Sequence, residues 1–134
     1  MYNREVIEKL KQQGVNTDEA ISRFMGKEEL FLSFIFRFPK NADFKEIRKC
    51  LEEKDEEQFY LHVHNLKGVS GNLGIETLSK CAYEILAEFR TSKFEQMEKL
   101  IRLVNEAECE SDRIIEILAS YEKEETSYEK SRLN

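Results

Sequence analysis

The sequence predicts an all-α protein in which successive long helices pack as antiparallel neighbours in a bundle. Three observations predict it. Helix-start signals recur along the chain, no segment alternates apolar and polar residues with period two, and the composition is that of helical bundles. The 134 residues are 36% charged and 40% hydrophobic, with one proline and no tryptophan. That length fits one domain and leaves little room for two.

At the N-terminus, a helix over residues 2–13 is closed by Gly14, a residue suited to the left-handed turn that ends helices. Asn16 with Glu19 fits the pattern of an N-cap and its N3 partner, opening a helix over 17–25 that Gly26 stops. The next helix, 28–38, ends at Pro39, because the residue before a proline disfavours the α region. Its segment "LFLSFIFRF" is apolar at seven of nine positions, more than one helix face needs. Burial on two sides, by the bundle and by the short N-terminal helices, accounts for this; a partly exposed docking surface is the alternative. Asp43 with Glu46 starts a helix over 43–53, and Asp55 with Gln58 starts one over 56–72 that Gly74 ends. A helix over 76–90 comes after it, and Ser92 with Glu95 starts a long one from 93 to about 121. Short connections make the long helices antiparallel neighbours. The domain is therefore expected to cover 1–121. Residues 122–134, "EKEETSYEKSRLN", lose the apolar period and read as a flexible charged tail.

Charge and composition exclude several function classes. The formal net charge is −6, and no basic stripe with interleaved aromatics marks a nucleic-acid surface. The first residues, "MYNREVIEKLKQQG", hold no apolar leader core. No run approaches the roughly 18 apolar residues of a membrane span. Cys50, Cys81 and Cys109 are odd in number and form no CxxC pair, so neither a zinc site nor a disulfide framework is expected. They read as small core residues in a reducing cytoplasm.

One stretch resists this bland account. "HVHNLKGVSGNLG", residues 62–74, holds both histidines and three of the five glycines, although each glycine inside a helix costs about 0.5–1 kcal/mol relative to alanine. On a wheel of about 100° per residue, Phe59, His62, Val63, Leu66, Val69, Ser70 and Leu73 share the core stripe. Glu57, Tyr60, Leu61, Lys67, Gly68 and Gly71 cluster around His64 on the opposite, solvent-facing side. His-x-His can chelate a metal from a strand, where the two share a face, but not from a helix. No ligand set with i, i+4 spacing accompanies it, so no metal is expected, and His62 reads as a hydrogen-bonded packing residue. Around His64, Gly68 and Gly71 leave the ring without side-chain cover, and Lys67 at i+3 brings an ammonium close. Glycines there make sense if another molecule must approach the imidazole. The cation disfavours an imidazolium and suits a neutral, nucleophilic ring that then holds an anion, the best match being a phosphoryl group.

"HNLKGVSGNLG" closely resembles the signature of histidine-containing phosphotransfer (HPt) domains, His-x-x-Lys-Gly-x-Ser-x-x-x-Gly. The matching positions are His64, Lys67, Gly68, Ser70 and Gly74. The upstream run "GVNTDEAISRFMGKEELFLSFIFRF" and the helix "IETLSKCAYEILAEFR" are similar to the family's layout, so the resemblance covers about residues 15–120. It implies an antiparallel four-helix bundle with short accessory N-terminal helices. It also implies a cytoplasmic phosphorelay carrier: His64 is the phosphoacceptor, Lys67 stabilises the phosphoryl group, and Gly68 gives the partner room. The implied partners are response-regulator receiver domains or a hybrid histidine kinase. No cofactor is intrinsic, since the receiver supplies Mg²⁺ and the acidic pocket. Tyr60, Leu61, Gly68 and Gly71 form the candidate docking patch. Many members carry a Leu-Glu pair in the following helix where this chain has Ile85-Leu86, a position that reads as packing. The alternative function is a non-catalytic interaction or adaptor bundle.

Overall fold

The computed structural model describes the backbone of residues 2–133 and the side chains of residues 4–121. Among these residues there are helices and no strand. In order they are α1 (Tyr2–Gln12), α2 (Thr17–Arg23), α3 (Glu28–Ile35), α4 (Phe38–Asn41), α5 (Phe44–Glu53), α6 (Glu56–Asn72), α7 (Glu76–Ser92) and α8 (Met97–Leu133). The all-α expectation holds.

Three of the four expected N-caps form. The side chains of Asn16, Asp43 and Asp55 each accept from the backbone N–H three residues on, at 3.3, 3.1 and 3.1 Å, satisfying a donor that the first helical turn leaves orphaned. Ser92 does not cap α8; it is the last residue of α7. Lys93 turns the chain at φ 50°, and Phe94 folds back onto Phe59 and Phe89 with centroids 5.8 and 5.2 Å apart. Packing that third, half-buried ring against the core takes a turn over 93–96, so α8 begins later than its cap-like sequence implies. Pro39 also departs from expectation. It does not end one long helix but sits in the first turn of the separate α4, where its fixed φ is suited and its missing N–H is not needed. The division lets Phe38 as well as Phe31 and Ile35 become fully buried. Phe34 stays 42% exposed, so the apolar segment is mostly core with one ring left at the surface.

The helix pairs that carry the molecule are α5–α6, α6–α7, α7–α8 and α1–α8. Direction is set by the contacts: Phe59 meets Phe89, Tyr60 meets Arg90, Lys67 meets Tyr83 and Lys67 again meets Ser79. Partner numbers fall along α7 as they rise along α6, so the pair is antiparallel. The same holds for α7 and α8, through Glu88–Lys99 at 2.9 Å and Thr77–Glu110 at 3.3 Å. Arg48 donates to Asn105 and Glu108, tying α5 back to α8. Phe59, Phe89, Leu66, Ile85 and Leu86 lie in the shared core, which makes Ile85-Leu86 a packing pair as expected. The backbone of α8 continues past 121 to Leu133. No glycine or proline interrupts the chain after Gly74, and its Glu and Lys are good helix formers, so the helix outlasts the apolar period. Side chains after Tyr121, and with them the flexibility expected of 122–134, lie outside the described residues.

Gly14, Gly26 and Gly74 all have positive φ, as helix stops require. Of the three, Gly74 does most to position the face around His64. Its N–H donates to Gly71 and that of Ile75 to Ser70, the paired bonds of a Schellman turn. Its carbonyl accepts from Asn16 N–H at 2.8 Å, docking the start of α2 on the end of α6. A Cβ at Gly74 would collide with the Asn16 carbonyl oxygen and touch Ala20 Cβ at 3.2 Å, on a backbone at φ +77°. Gly74→Ala should therefore destabilise the protein by about 2 kcal/mol or more in urea unfolding. A loss under about 0.5 kcal/mol, the range of an unremarkable surface change, contradicts this packing.

Candidate functional site

α6 is a helix with two working faces. Phe59, Val63, Leu66 and Ser70 are buried and fix its rotation, so the spacing alone sets where the other side chains point. His64 is exposed and His62 half-buried, the opposed placement read from the wheel. Buried Ser70 donates its hydroxyl to Leu66 O at 2.7 Å and to Lys67 O at 3.2 Å. Ser79 of α7 donates to the same Lys67 carbonyl at 3.3 Å. These bonds brace the turn that Gly68 and Gly71 weaken.

His64 lies over Tyr60, one turn earlier, with planes 7° apart and centroids separated by 5.7 Å. Arg90 of α7 covers Tyr60, its guanidinium carbon 5.9 Å from the ring centroid and one nitrogen 3.4 Å from the hydroxyl. Tyr60 is consequently half-buried rather than freely exposed, while Leu61 is 49% exposed. Lys67 Nζ sits 5.3 Å from the centroid of Tyr83, a cation–π contact that anchors the ammonium to α7. Gly68 is open: a Cβ there would meet nothing within 4 Å. Gly71 is different, since its Cβ would meet Ser79 Oγ at 3.3 Å. Gly71 thus also serves the close approach of α7.

An open depression of about 390 Å³ gathers these residues. It is lined by His64, Lys67, Gly68 and Gly71, as expected, and also by Arg23, Asn72 and Ser79. Arg23 is the addition of most consequence. It comes from α2 and donates to Gly71 O at 2.7 Å and to Asn72 O at 3.5 Å, capping the carbonyl end of α6. Glu19 holds it from behind at 2.7 Å. The Glu19–Arg23 spacing was visible as an ordinary helical ion pair; nothing local signals that α2 docks across the end of α6. No carboxylate lines the depression, so its donor set suits an anion and not a divalent cation.

A second cluster lies on the inner border of the same helix. Ligand atoms of Glu46, Cys50 and His62 all fall within 4.8 Å of one another. His62 has no hydrogen-bond or ion-pair partner among the described residues, which corrects the expectation of a hydrogen-bonded packing histidine. The expectation that no i, i+4 ligand pair accompanies His62 is also corrected. Glu46 and Cys50 are such a pair, but on α5.

No family model matches the chain, and no curated protein or solved structure does either. Among the described residues, no helix is long and apolar enough to cross a membrane.

Gly68 occupies open space in the middle of an exposed helix face, so local structure gives no reason for glycine. Gly68→Ala should raise stability by about 0.5–1 kcal/mol in urea unfolding, the ordinary helix-propensity gain. A loss of stability would reveal a close contact at this position that the geometry lacks.

Proposed function

We propose that this chain is a phosphoryl carrier of the histidine phosphotransfer kind, with His64 as the acceptor. The observation that carries the reading is the placement of an exposed imidazole beside open Gly68, in a depression that also holds Lys67 and Arg23. It joins the signature from His64 to Gly74. In the transfer, a ring nitrogen of neutral His64 attacks the phosphorus of an aspartyl phosphate on a receiver domain. The N–P bond forms as the acyl O–P bond breaks, and the aspartate carboxylate leaves. Negative charge on the three equatorial oxygens is offset by the Lys67 ammonium from this side. The Mg²⁺ that neutralises the remaining charge belongs to the partner's acidic pocket. The phosphoryl group then passes to a second receiver aspartate by the reverse step. Such a protein is a carrier rather than an enzyme and works in the cytoplasm. Leu61, Tyr60, Gly68 and the edge at Gly71 provide the surface on which the receiver docks, apolar contact next to a polar rim.

Incubation with phosphorylated receiver domains should place an acid-labile, base-stable phosphate on this protein. The label should vanish in His64→Gln and persist in His62→Gln; label surviving in His64→Gln rules the assignment out. Lys67→Ala should keep the fold and slow transfer about tenfold, equivalent to about 1.4 kcal/mol of transition-state stabilisation. An unchanged rate removes Lys67 from the chemistry. Gly68→Ala, more stable by its helix propensity, should nevertheless transfer more slowly. Full activity in that variant means no partner needs the space.

A further inference from the structure

The Glu46–Cys50–His62 cluster has the makings of a metal centre independent of His64. We propose that these three side chains bind one transition-metal ion of the zinc class, which staples α5 to α6 on the side facing away from the phosphoacceptor candidate. The donor set is a carboxylate oxygen, a thiolate sulfur and an imidazole nitrogen. Such mixed, borderline-soft ligands select zinc over calcium or magnesium, which take oxygen ligands throughout.

The geometry is close to what such an ion needs. Zinc–ligand bonds of about 2.0–2.3 Å in a tetrahedron put ligand atoms about 3.3–3.8 Å apart. The three atoms here already lie within 4.8 Å of one another, so closure requires the most distant pair to approach by about 1 Å. Two ligands sit one turn apart on α5, whose capped start and left-handed end at Lys54 define its length. The third comes from α6, whose rotation is fixed by its buried stripe. The backbone supplying the ligands is therefore rigid.

The surroundings also favour a cation. Cys50 is 4% exposed, so an ion bound to its sulfur is largely shielded from bulk water, and the charges acting on that sulfur are the carboxylates of Asp55, Glu46 and Glu53 against the one ammonium of Lys49. That net negative charge draws in a divalent ion. On binding, the Sγ–H proton goes to solvent and the sulfur bonds the metal. Glu46 and His62 are half-buried, so a solvent molecule can complete the fourth position. Neither side chain is committed to a hydrogen bond or ion pair among the described residues, and both can turn toward the ion.

Cobalt(II) titrated into the full-length, reduced, metal-free protein tests the site, because a Co–thiolate bond gives a charge-transfer band that oxygen and nitrogen ligands do not. One equivalent per chain should produce that band with tetrahedral ligand-field absorption, and zinc should displace both. His64→Gln should leave the spectrum unchanged, which separates this site from the phosphotransfer reading. Cys50→Ser should abolish the charge-transfer band. Because Cys50 is buried, His62→Gln provides a second variant at a half-buried position; it should weaken cobalt binding at least tenfold while circular dichroism stays native. The proposal is overturned if no band forms at stoichiometric cobalt, if the band survives in Cys50→Ser, or if His62→Gln binds as the parent does. A band that survives would place the thiolate at Cys81 or Cys109 instead.

Discussion

The left-handed turn at Gly74 is the constraint on which the rest of the face around His64 depends. Only a residue without a Cβ can hold φ +77° while the Asn16 carbonyl lies against it. That one permission lets the carbonyl of Gly74 accept from Asn16 and brings α2 across the end of α6. Arg23 then reaches the last carbonyls of α6. Without the turn, α2 would have no seat, and the Glu19–Arg23 pair that caps that end of the depression would be absent. The short N-terminal helices are thus part of the machinery that builds the site, not decoration on the bundle.

How much of this was legible in the sequence depended on how local the cause was. Helices α5, α6 and α7 were readable because caps, apolar spacing and glycine stops act within a few residues. The opposed placement of His62 and His64 came from helical geometry alone. What failed were features decided by distant partners. Ser92 looks like a cap, but the packing of Phe94 against Phe59 and Phe89 sets where α8 begins. Pro39 looks like a stop, but it opens a turn of its own. Arg23 and the Glu46–Cys50–His62 cluster are invisible along the chain because their members meet only once α2 is docked and α5 folds against α6.

Charge is distributed in a way the total conceals. The chain is acidic, at −6, yet the depression beside His64 has two cations on its rim and no carboxylate in its lining. Across α6, the border that holds His62 faces Glu46 and lies near further acidic residues. One helix therefore separates a face lined by Lys67 and Arg23 from a border that faces Glu46. Its buried stripe keeps the two apart, and each can be altered by single substitutions without touching the other.

The Tyr60–His64 stack acts through entropy as well as position. An exposed side chain ordinarily samples several rotamers, and immobilising one on association costs about 0.5–1.5 kcal/mol. Here the imidazole already lies parallel to a phenol ring, and Arg90 steadies that ring from α7. Much of the orientational entropy is lost when the protein folds rather than when a partner arrives. Any molecule that reacts with or binds this imidazole meets a ring whose direction is set by the bundle, and the bound state need not freeze it again.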